Sequence, residues 1–301
     1  MFHIIVNPMA GKGYSNALVP PIENAMRERG MAFTVLYTRA PNEAKILAES
    51  ACRENSEGII AVGGDGTVQE AVCGMHSFFG GNIAVPFGIV PCGSGNDFWL
   101  AFAKNKKRGD GIDCIDGYIN NVFEKKTRAV DLISANGEAF INIANIGLDA
   151  HIVKNAAALK KTFKGKAYTV SALLTILRFK TYAAKINIDG RLRGGRYTLI
   201  AVCNGQYYGG GMRISPGADI HDGQLTVCLI RGMSKLRTFM LFPTLLAEKH
   251  TKLNVIEYIN CKNFSVDLSN PDLLCMDGNL FEGCSKVDFS VLPEAINIFI
   301  D

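Results

Sequence analysis

The first third of the chain alternates short apolar runs with amphipathic stretches: FHIIV then PPIENAMRER, AFTVLYT then NEAKILAESACRE, GIIAV then TVQEAVCGM, and FGIV then NDFWLAFAK. A run that is apolar at every position is buried on both faces, so this rhythm predicts βαβ units around a parallel sheet. Beyond about residue 125 the texture changes to short alternating strands separated by Gly, Asn and Asp. They read TRAVDLIS, AFINIANIG, AAKINIDG, YTLIAVCNG, QLTVCLI, LNVIEYIN, FSVDL, LLCMDG, KVDFSVL and INIFI. This predicts an antiparallel β-sandwich domain, interrupted by helical patterns at about 150–180 and 234–249. The expected organisation is an α/β domain over residues 1–125 and a β-sandwich over 126–301, meeting near GYINNVFEKK, where charge and Asn interrupt the periodicity.

Three of the early strands end in glycine-bearing loops: Asn7-Pro8-Met9-Ala10-Gly11-Lys12-Gly13, Gly63-Gly64-Asp65-Gly66-Thr67, and Pro91-Cys92-Gly93-Ser94-Gly95-Asn96-Asp97-Phe98. Ligands in open α/β sheets sit beyond the carboxyl ends of the strands, so the three loops should converge on one crevice. Glycine lets backbone amides approach an anion without Cβ obstruction, and Lys12, Thr67 and Ser94 can add charge and hydroxyl donors. A helix N-terminus contributes roughly 0.3–1 kcal/mol to an exposed anion and up to about 2 when partly buried, which holds a triphosphate weakly. Lys12 and a bound Mg²⁺ are therefore the expected cations. Neither G-x-x-x-x-G-K-[ST] nor G-x-G-x-x-G occurs in these loops. Asp65 is out of place in a pure anion cradle; it makes sense only with a cation or a transferable proton between it and phosphate.

Composition narrows the class. The chain has 301 residues, 48% hydrophobic and 20% charged, enough to bury a sizeable core in two domains. A net charge of +4 is far from the concentrated positive field of a nucleic-acid binder, so no nucleic-acid partner is expected. The nine cysteines lie far apart, without a C-x-x-C pair, and read as buried reduced thiols of a cytoplasmic protein. MFHIIVNPMAGKG has no basic n-region and is not read as a signal peptide. The longest uncharged apolar stretch, Ala167–Leu177, falls short of the about 20 residues a membrane span needs. His3, His76, His151, His221 and His250 show no ligand spacing with Cys or carboxylate and are expected to be structural, as is Trp99 in the core.

In this order, NPMAGKG, GGDGT and PCGSGNDF resemble the catalytic domain of the diacylglycerol kinase family, especially its soluble bacterial lipid kinases, with sphingosine and ceramide kinases more distant. GGDGT alone also resembles loops of NAD kinases and phosphofructokinases; the P-x-G-S-G-N-D-F about 30 residues later makes the likeness specific. Asn204 to Gly211 and Ser215 to Leu225 are similar to the family's glycine-rich and P-x-A-x-x-x-D-G-x-L segments, and Met276-Asp277-Gly278-Asn279 to its late D-G-E turn. The resemblance thus spans nearly the whole chain. It implies a Rossmann-like domain of the NAD kinase and diacylglycerol kinase type that binds ATP, a β-sandwich, and a site in the cleft between them.

By that resemblance, Asn7, Gly11, Lys12, Gly13 and Thr38 stand at the nucleotide, Gly63, Gly64, Asp65, Gly66 and Thr67 cradle phosphates, and Ser94 and Asn96 line the same cleft. Asp65 and Asp97 would organise Mg²⁺ and its waters. A structural Mg²⁺ maps to the Asp222 carboxylate with the carbonyls of Asp219 and Gln224. The base maps to Asp277, because Asn279 replaces the family's glutamate and an amide accepts no proton at neutral pH; Asp65 is the competing candidate. On the residues alone, Asp222-Gly223 and Asp277-Gly278 are hairpin turns.

The reaction implied is transfer of the γ-phosphoryl group of ATP to a lipid hydroxyl, first of all diacylglycerol to phosphatidate, a step of phospholipid metabolism. A kinase of a soluble acceptor such as NAD, and a nucleotide- or lipid-binding regulator without turnover, are the alternatives. A kinase without a membrane span that acts on a bilayer lipid must dock transiently at the membrane surface. Lys160, Lys161, Lys164, Lys166, Arg178 and Lys180 around AYTVSALLTIL form either a solvated helix face or that docking surface, each basic residue contributing about 1 kcal/mol against anionic lipid. Lys104, Lys106, Lys107 and Arg108 could add to the field. The oligomeric state, monomer or homodimer, stays open.

Overall fold

In the computed structural model, which describes residues 1–103, 112–163 and 167–300, the early apolar runs form β1 (Phe2–Val6), β2 (Phe33–Tyr37), β3 (Gly58–Gly63) and β4 (Ile83–Pro91). The amphipathic stretches form α1 (Tyr14–Glu28), α2 (Glu43–Arg53), α3 (Asp65–Phe79) and α4 (Asp97–Phe102), followed by α5 (Ile115–Phe123). The four strands pair in parallel in the order β4-β3-β1-β2. Alternate residues take opposite faces, as the strand period requires. Ile5, Ile59 and Ala61 pack on α2 and α3. Ile4, Val6, Ile60 and Val62 pack on α1 and α5. Val6 stands opposite Val62, and Gly63 opposite Pro91. The chain therefore leaves β1, β3 and β4 at one level of the sheet, and the three glycine loops start side by side.

The rest of the chain builds β5 (Thr127–Ala135), β6 (Glu138–Phe140), β7 (Ile143–Gly147), α6 (Leu148–Phe163), α7 (Ala167–Arg178), β8 (Tyr182–Ile188) and β9 (Arg191–Cys203). There follow β10 (Tyr207–Tyr208), β11 (Met212–Arg213), β12 (Leu225–Arg231), α8 (Lys235–Leu246), β13 (Ile256–Cys261), β14 (Asn263–Met276) and β15 (Asn279–Phe299). These strands pair with one another in antiparallel fashion. β9 and β14 each pair with β8 along one half and β7 along the other, so the sheet folds over itself around Ile146, Ile186, Val202, Val227, Phe264 and Val266. FSVDL and LLCMDG are halves of one strand, as are KVDFSVL and INIFI; register shifts between Asp267 and Asp272, and between Leu292 and Ile296, absorb the Pro-containing segments.

One expectation changes. No separate Rossmann-like parallel sheet forms: the end of β15 pairs in parallel with β4, Ile296 opposite Ile83, so the parallel strands are one flank of a thirteen-stranded, mostly antiparallel sheet. Val130, Leu132, Ala295, Ile296 and Ile298 from the second half pack in the α2–α3 core. Without β15, β4 would be an exposed, apolar edge strand, a template for aggregation.

Among the described residues no helix is long and apolar enough to cross a membrane. All nine cysteines are free thiols, and Trp99 is buried against Phe102. Two histidines do meet carboxylates, which the fold brings from far along the chain: His3 with Glu54 at 3.1 Å and His151 with Asp272 at 2.7 Å.

Candidate active site

The glycine loops are tied to one another before any ligand is considered. Asn7 Nδ2 donates to Thr67 Oγ1 (3.0 Å), and its Oδ1 accepts the Met9 N–H (3.0 Å). A Cβ on Gly93 would lie 2.5 Å from Gly64 Cα, so the second and third loops meet backbone to backbone, an approach that only glycine permits. Asn96, in the left-handed region at φ 54°, accepts the Gly93 N–H at 2.9 Å and holds the third loop in shape.

Around these loops lies a cavity of about 670 Å³. Of the residues expected at the nucleotide, Asn7, Gly11, Thr38, Gly64, Asp65, Gly66, Thr67 and Ser94 line it. Four do not. Lys12 is exposed on a left-handed turn (φ 59°), Gly13 caps the start of α1, Gly63 packs against the Thr67 side chain, and Asn96 braces its loop. Among the described residues the cation that lines this cavity is Arg39, next to Thr38, and Glu70 lines it as well. A basic residue just after a strand was the available signal for Arg39.

A second cavity, about 460 Å³, lies between the two halves of the chain. Ser94, Asp97 and Phe98 line it from one side, and Asn142, Asn145, Asp149, Tyr208 and Asp277 from the other. Asp65, Ser94 and Gly95 line both cavities. None of the described residues lining the second cavity is Lys, Arg or His.

The carboxylates differ in how they are held. Asp65 Oδ1 accepts the Phe98 N–H at 3.2 Å. Burial pushes its pKa up to about 6, the charge of Asp97 adds to the rise, and backbone N–H groups oppose it. Asp97 accepts the N–H groups of Gly210 (2.9 Å) and Gly211 (2.6 Å), pinning a loop of the second half onto α4. Asp277, at φ 46°, accepts three: Ile141 (3.0 Å) and Asn142 (3.1 Å) on Oδ2 and Ile143 (2.7 Å) on Oδ1. These amides are why AFINIANIG breaks into β6 and β7. They favour the charged form, yet enclosure of the carboxylate outweighs them and lifts it to about 7. Gln69, buried on α3, accepts the same Ile141 N–H (3.2 Å) and donates to Ala139 O (3.0 Å), joining the helix of Asp65 to the turn of Asp277. Asn279 lines a different cleft, with Lys45, Glu70 and Glu138.

The expected metal residues lie apart from this cleft. Asp222 Oδ1 accepts the Gln224 N–H (2.9 Å), and Asp219 Oδ1 that of His221 (3.1 Å). Burial raises the Asp222 pKa, and the charges of Asp219 and Asp131 raise it further. Among the described residues no three His, Cys, Asp or Glu side chains converge as a metal cluster. A cation here would rest on Asp222 and backbone carbonyls, an all-oxygen donor set that suits Mg²⁺ and would relieve the crowding of negative charge.

Two family models match the chain: diacylglycerol kinase catalytic domain over residues 1–135, and YegS C-terminal NAD kinase beta sandwich-like domain over residues 142–300. The chain is 25% identical, over 291 residues, to "Probable lipid kinase YegS-like" of Shewanella frigidimarina, covering 96% of this chain and 91% of that one. It is 27% identical, over 277 residues, to the diacylglycerol kinase of Bacillus subtilis, covering 91% and 88%. Its fold matches that of a diacylglycerol kinase from Bacillus anthracis str. Sterne with a TM-score of 0.75, at 22% identity, over 100% of this chain and 96% of the other. The two matched segments carry the loops and the carboxylates described above, and the chain belongs to the diacylglycerol kinase catalytic-domain family of lipid kinases, phosphotransferases with an alcohol acceptor.

Proposed function

We propose that this protein transfers the γ-phosphoryl group of ATP to a lipid hydroxyl at the point where its two cavities join. The supporting observation is the shared wall of Asp65, Ser94 and Gly95. A triphosphate along the glycine loops and a hydroxyl in the second cavity would meet there, and such positioning supplies much of the catalysis in phosphoryl transfer. The backbone amides around Gly64 and Gly93, with the hydroxyls of Thr67 and Ser94, would hold phosphate oxygens, and Arg39 would add charge. Asp65 would take the proton of the attacking hydroxyl: with a pKa near 6 it is ionised at neutral pH and still basic. Asp277, whose oxygens already accept three amides, is better suited to fixing the turn at 141–143 than to serving as base. Asp65 and Asp97 would hold Mg²⁺ through its waters, and their mutual repulsion favours a cation there. When bound, Mg²⁺ neutralises charge on the transferring phosphates.

A lipid acceptor, rather than NAD, is favoured by the apolar residues Leu148, Ile152, Ile176, Leu241 and Leu245, which surround a crevice of about 30 Å³ that shares Asp149 and Tyr208 with the second cavity and would have to widen to take an acyl chain. Diacylglycerol meets both requirements, with one hydroxyl for Asp65 and acyl chains for the apolar side, and phosphatidate would be its product. Access to a bilayer would use the outer face of the helices that cover the crevice. Leu173, Leu174 and Leu177 on α7 and Leu236, Phe239 and Met240 on α8 are exposed, beside exposed Arg178, Lys180, Lys235 and Arg237. An apolar patch with a basic rim fits an anionic membrane surface. Lys104, Lys106, Lys107, Arg108, Lys164 and Lys166, and the side chains of Lys160 and Lys161, lie outside the described residues.

The test is incubation with γ-labelled ATP and Mg²⁺, offering diacylglycerol, monoacylglycerol, ceramide and sphingosine in mixed micelles and NAD in solution. Label in a lipid supports the reading. Label in NAD alone, or in nothing, sinks it.

A further inference from the structure

The three cavities form a series, and the residues they share mark its junctions. The nucleotide cavity meets the second cavity at Asp65, Ser94 and Gly95, and the second cavity meets the apolar crevice at Asp149 and Tyr208. Asp65, Asp97 and Asp277 belong to the phosphoryl-transfer end. Asp149 belongs to the other end, where polar lining gives way to apolar. A lipid lying along this series would place its head-to-tail junction there.

Asp149 at that junction and Asn145 in the second cavity beside it have no task assigned in phosphoryl transfer. Asp149, in the first turn of α6, is 4% exposed, and its charge is felt by Tyr208 and Cys275. Asn145, on β7, is also 4% exposed, lines the second cavity, and leaves its Oδ1 without a hydrogen-bond partner among the described residues. A buried acceptor left unpaired is costly, and a ligand that brings a donor removes the cost. Ester carbonyls cannot do so, because they only accept; a hydroxyl or an ammonium can.

We infer that Asp149 and Asn145 form a headgroup subsite that binds a second hydrogen-bond donor of the acceptor lipid, so the preferred substrates carry a hydroxyl or ammonium besides the hydroxyl that is phosphorylated. This deepens the lipid-kinase reading and rests on it. Monoacylglycerols and sphingoid bases belong to the preferred class. Diacylglycerol, with one hydroxyl and two esters, would be used without this added contact. Sites built to bond a substrate hydroxyl discriminate strongly against analogues that lack it.

The test compares 1-acylglycerol with 1-acyl-2-O-methylglycerol, which keeps the hydroxyl to be phosphorylated and loses only the second donor. Both are presented in identical mixed micelles, and kcat/KM is measured for wild type, Asp149→Asn and Asn145→Ala. The asparagine substitution keeps the size of the side chain and one acceptor oxygen, and the ratio of two acceptors is insensitive to partial loss of folded enzyme. The expected wild-type preference for 1-acylglycerol is at least about tenfold, falling at least about fivefold in each variant. Equal use of the two lipids by wild type, or a preference that survives in both variants, overturns the subsite while leaving the lipid kinase intact. Phosphorylation of neither these lipids nor diacylglycerol overturns the lipid-kinase reading and the subsite together.

Discussion

Replacing Asp65 with asparagine should make the protein more stable and nearly inactive, and the pH dependence of the first effect identifies its cause. A carboxyl displaced from 3.8 to about 6 carries a penalty of about 3 kcal/mol when fully ionised in the fold. Because the folded pKa lies above the unfolded one, the fold holds its advantage from this group below about 3.8 and loses it as pH rises through about 6. The amide does not titrate, is not repelled by Asp97, and still offers an oxygen to the Phe98 N–H. The stability of Asp65→Asn relative to wild type should therefore rise by about 2 kcal/mol between pH 4 and pH 8. For a chain of this length that is a relative gain in Tm of roughly 3–4 °C. Thermal melts of the two proteins, without nucleotide or metal, across this pH range are the assay. Turnover should fall at least about 100-fold if Asp65 is the base. A gap that does not widen with pH would refute the electrostatic argument, and full activity would refute the catalytic one.

Four further outcomes follow from the same geometry. The kcat of the wild type should rise with pH as Asp65 ionises, below the metal-free value of about 6 because Mg²⁺ beside it favours the charged form, then level off; a profile flat down to pH 4 would remove Asp65 as base. Asp277→Ala strips three amides of their acceptor, and at about 1–3 kcal/mol for each buried group left unpaired it should lower Tm by at least about 5 °C, whereas an unchanged melt would mean that the carboxylate does not hold the turn. Gly93→Ala forces a Cβ to within 2.5 Å of Gly64 Cα, so ATP binding by titration calorimetry should weaken at least about tenfold, about 1.4 kcal/mol; unaltered affinity would show that the loops need not touch. Arg39→Ala should raise the KM for ATP about tenfold while Lys12→Ala changes it little, and the reverse order would return the cation role to Lys12.

The parallel strands and the gathering of the glycine loops were legible because both follow from local pattern: FHIIV and GIIAV are apolar at every position, and parallel register then brings their loops to one level. The partner of INIFI was not legible. A short apolar run says that it is buried, not beside what, and it is the bare edge of β4 that recruits it. Lys12 has the right chemistry and stands exposed on a left-handed turn, not in the cavity lining, and sequence alone does not fix that φ. The pairing of Asp277 with three amides joins segments 134 to 136 residues apart and leaves only a broken alternation at Ile141 and Asn142 as its local trace. Asp149 did carry a signal. NIGLDA repeats the strand, glycine, acidic residue and helix order of the GGDGT loop, but it lies in the β-rich half, where that order has no standard meaning.

In the proposed mechanism donor and acceptor meet at Asp65, Ser94 and Gly95. A crystal structure of the protein with Mg²⁺ and a non-hydrolysable ATP analogue is the decisive test. The triphosphate should lie along the glycine loops, with its γ-phosphate at Ser94 and Gly95 and open to the cavity of Asp149 and Asn145. A triphosphate bound elsewhere, or a γ-phosphate turned away from that cavity, would contradict it.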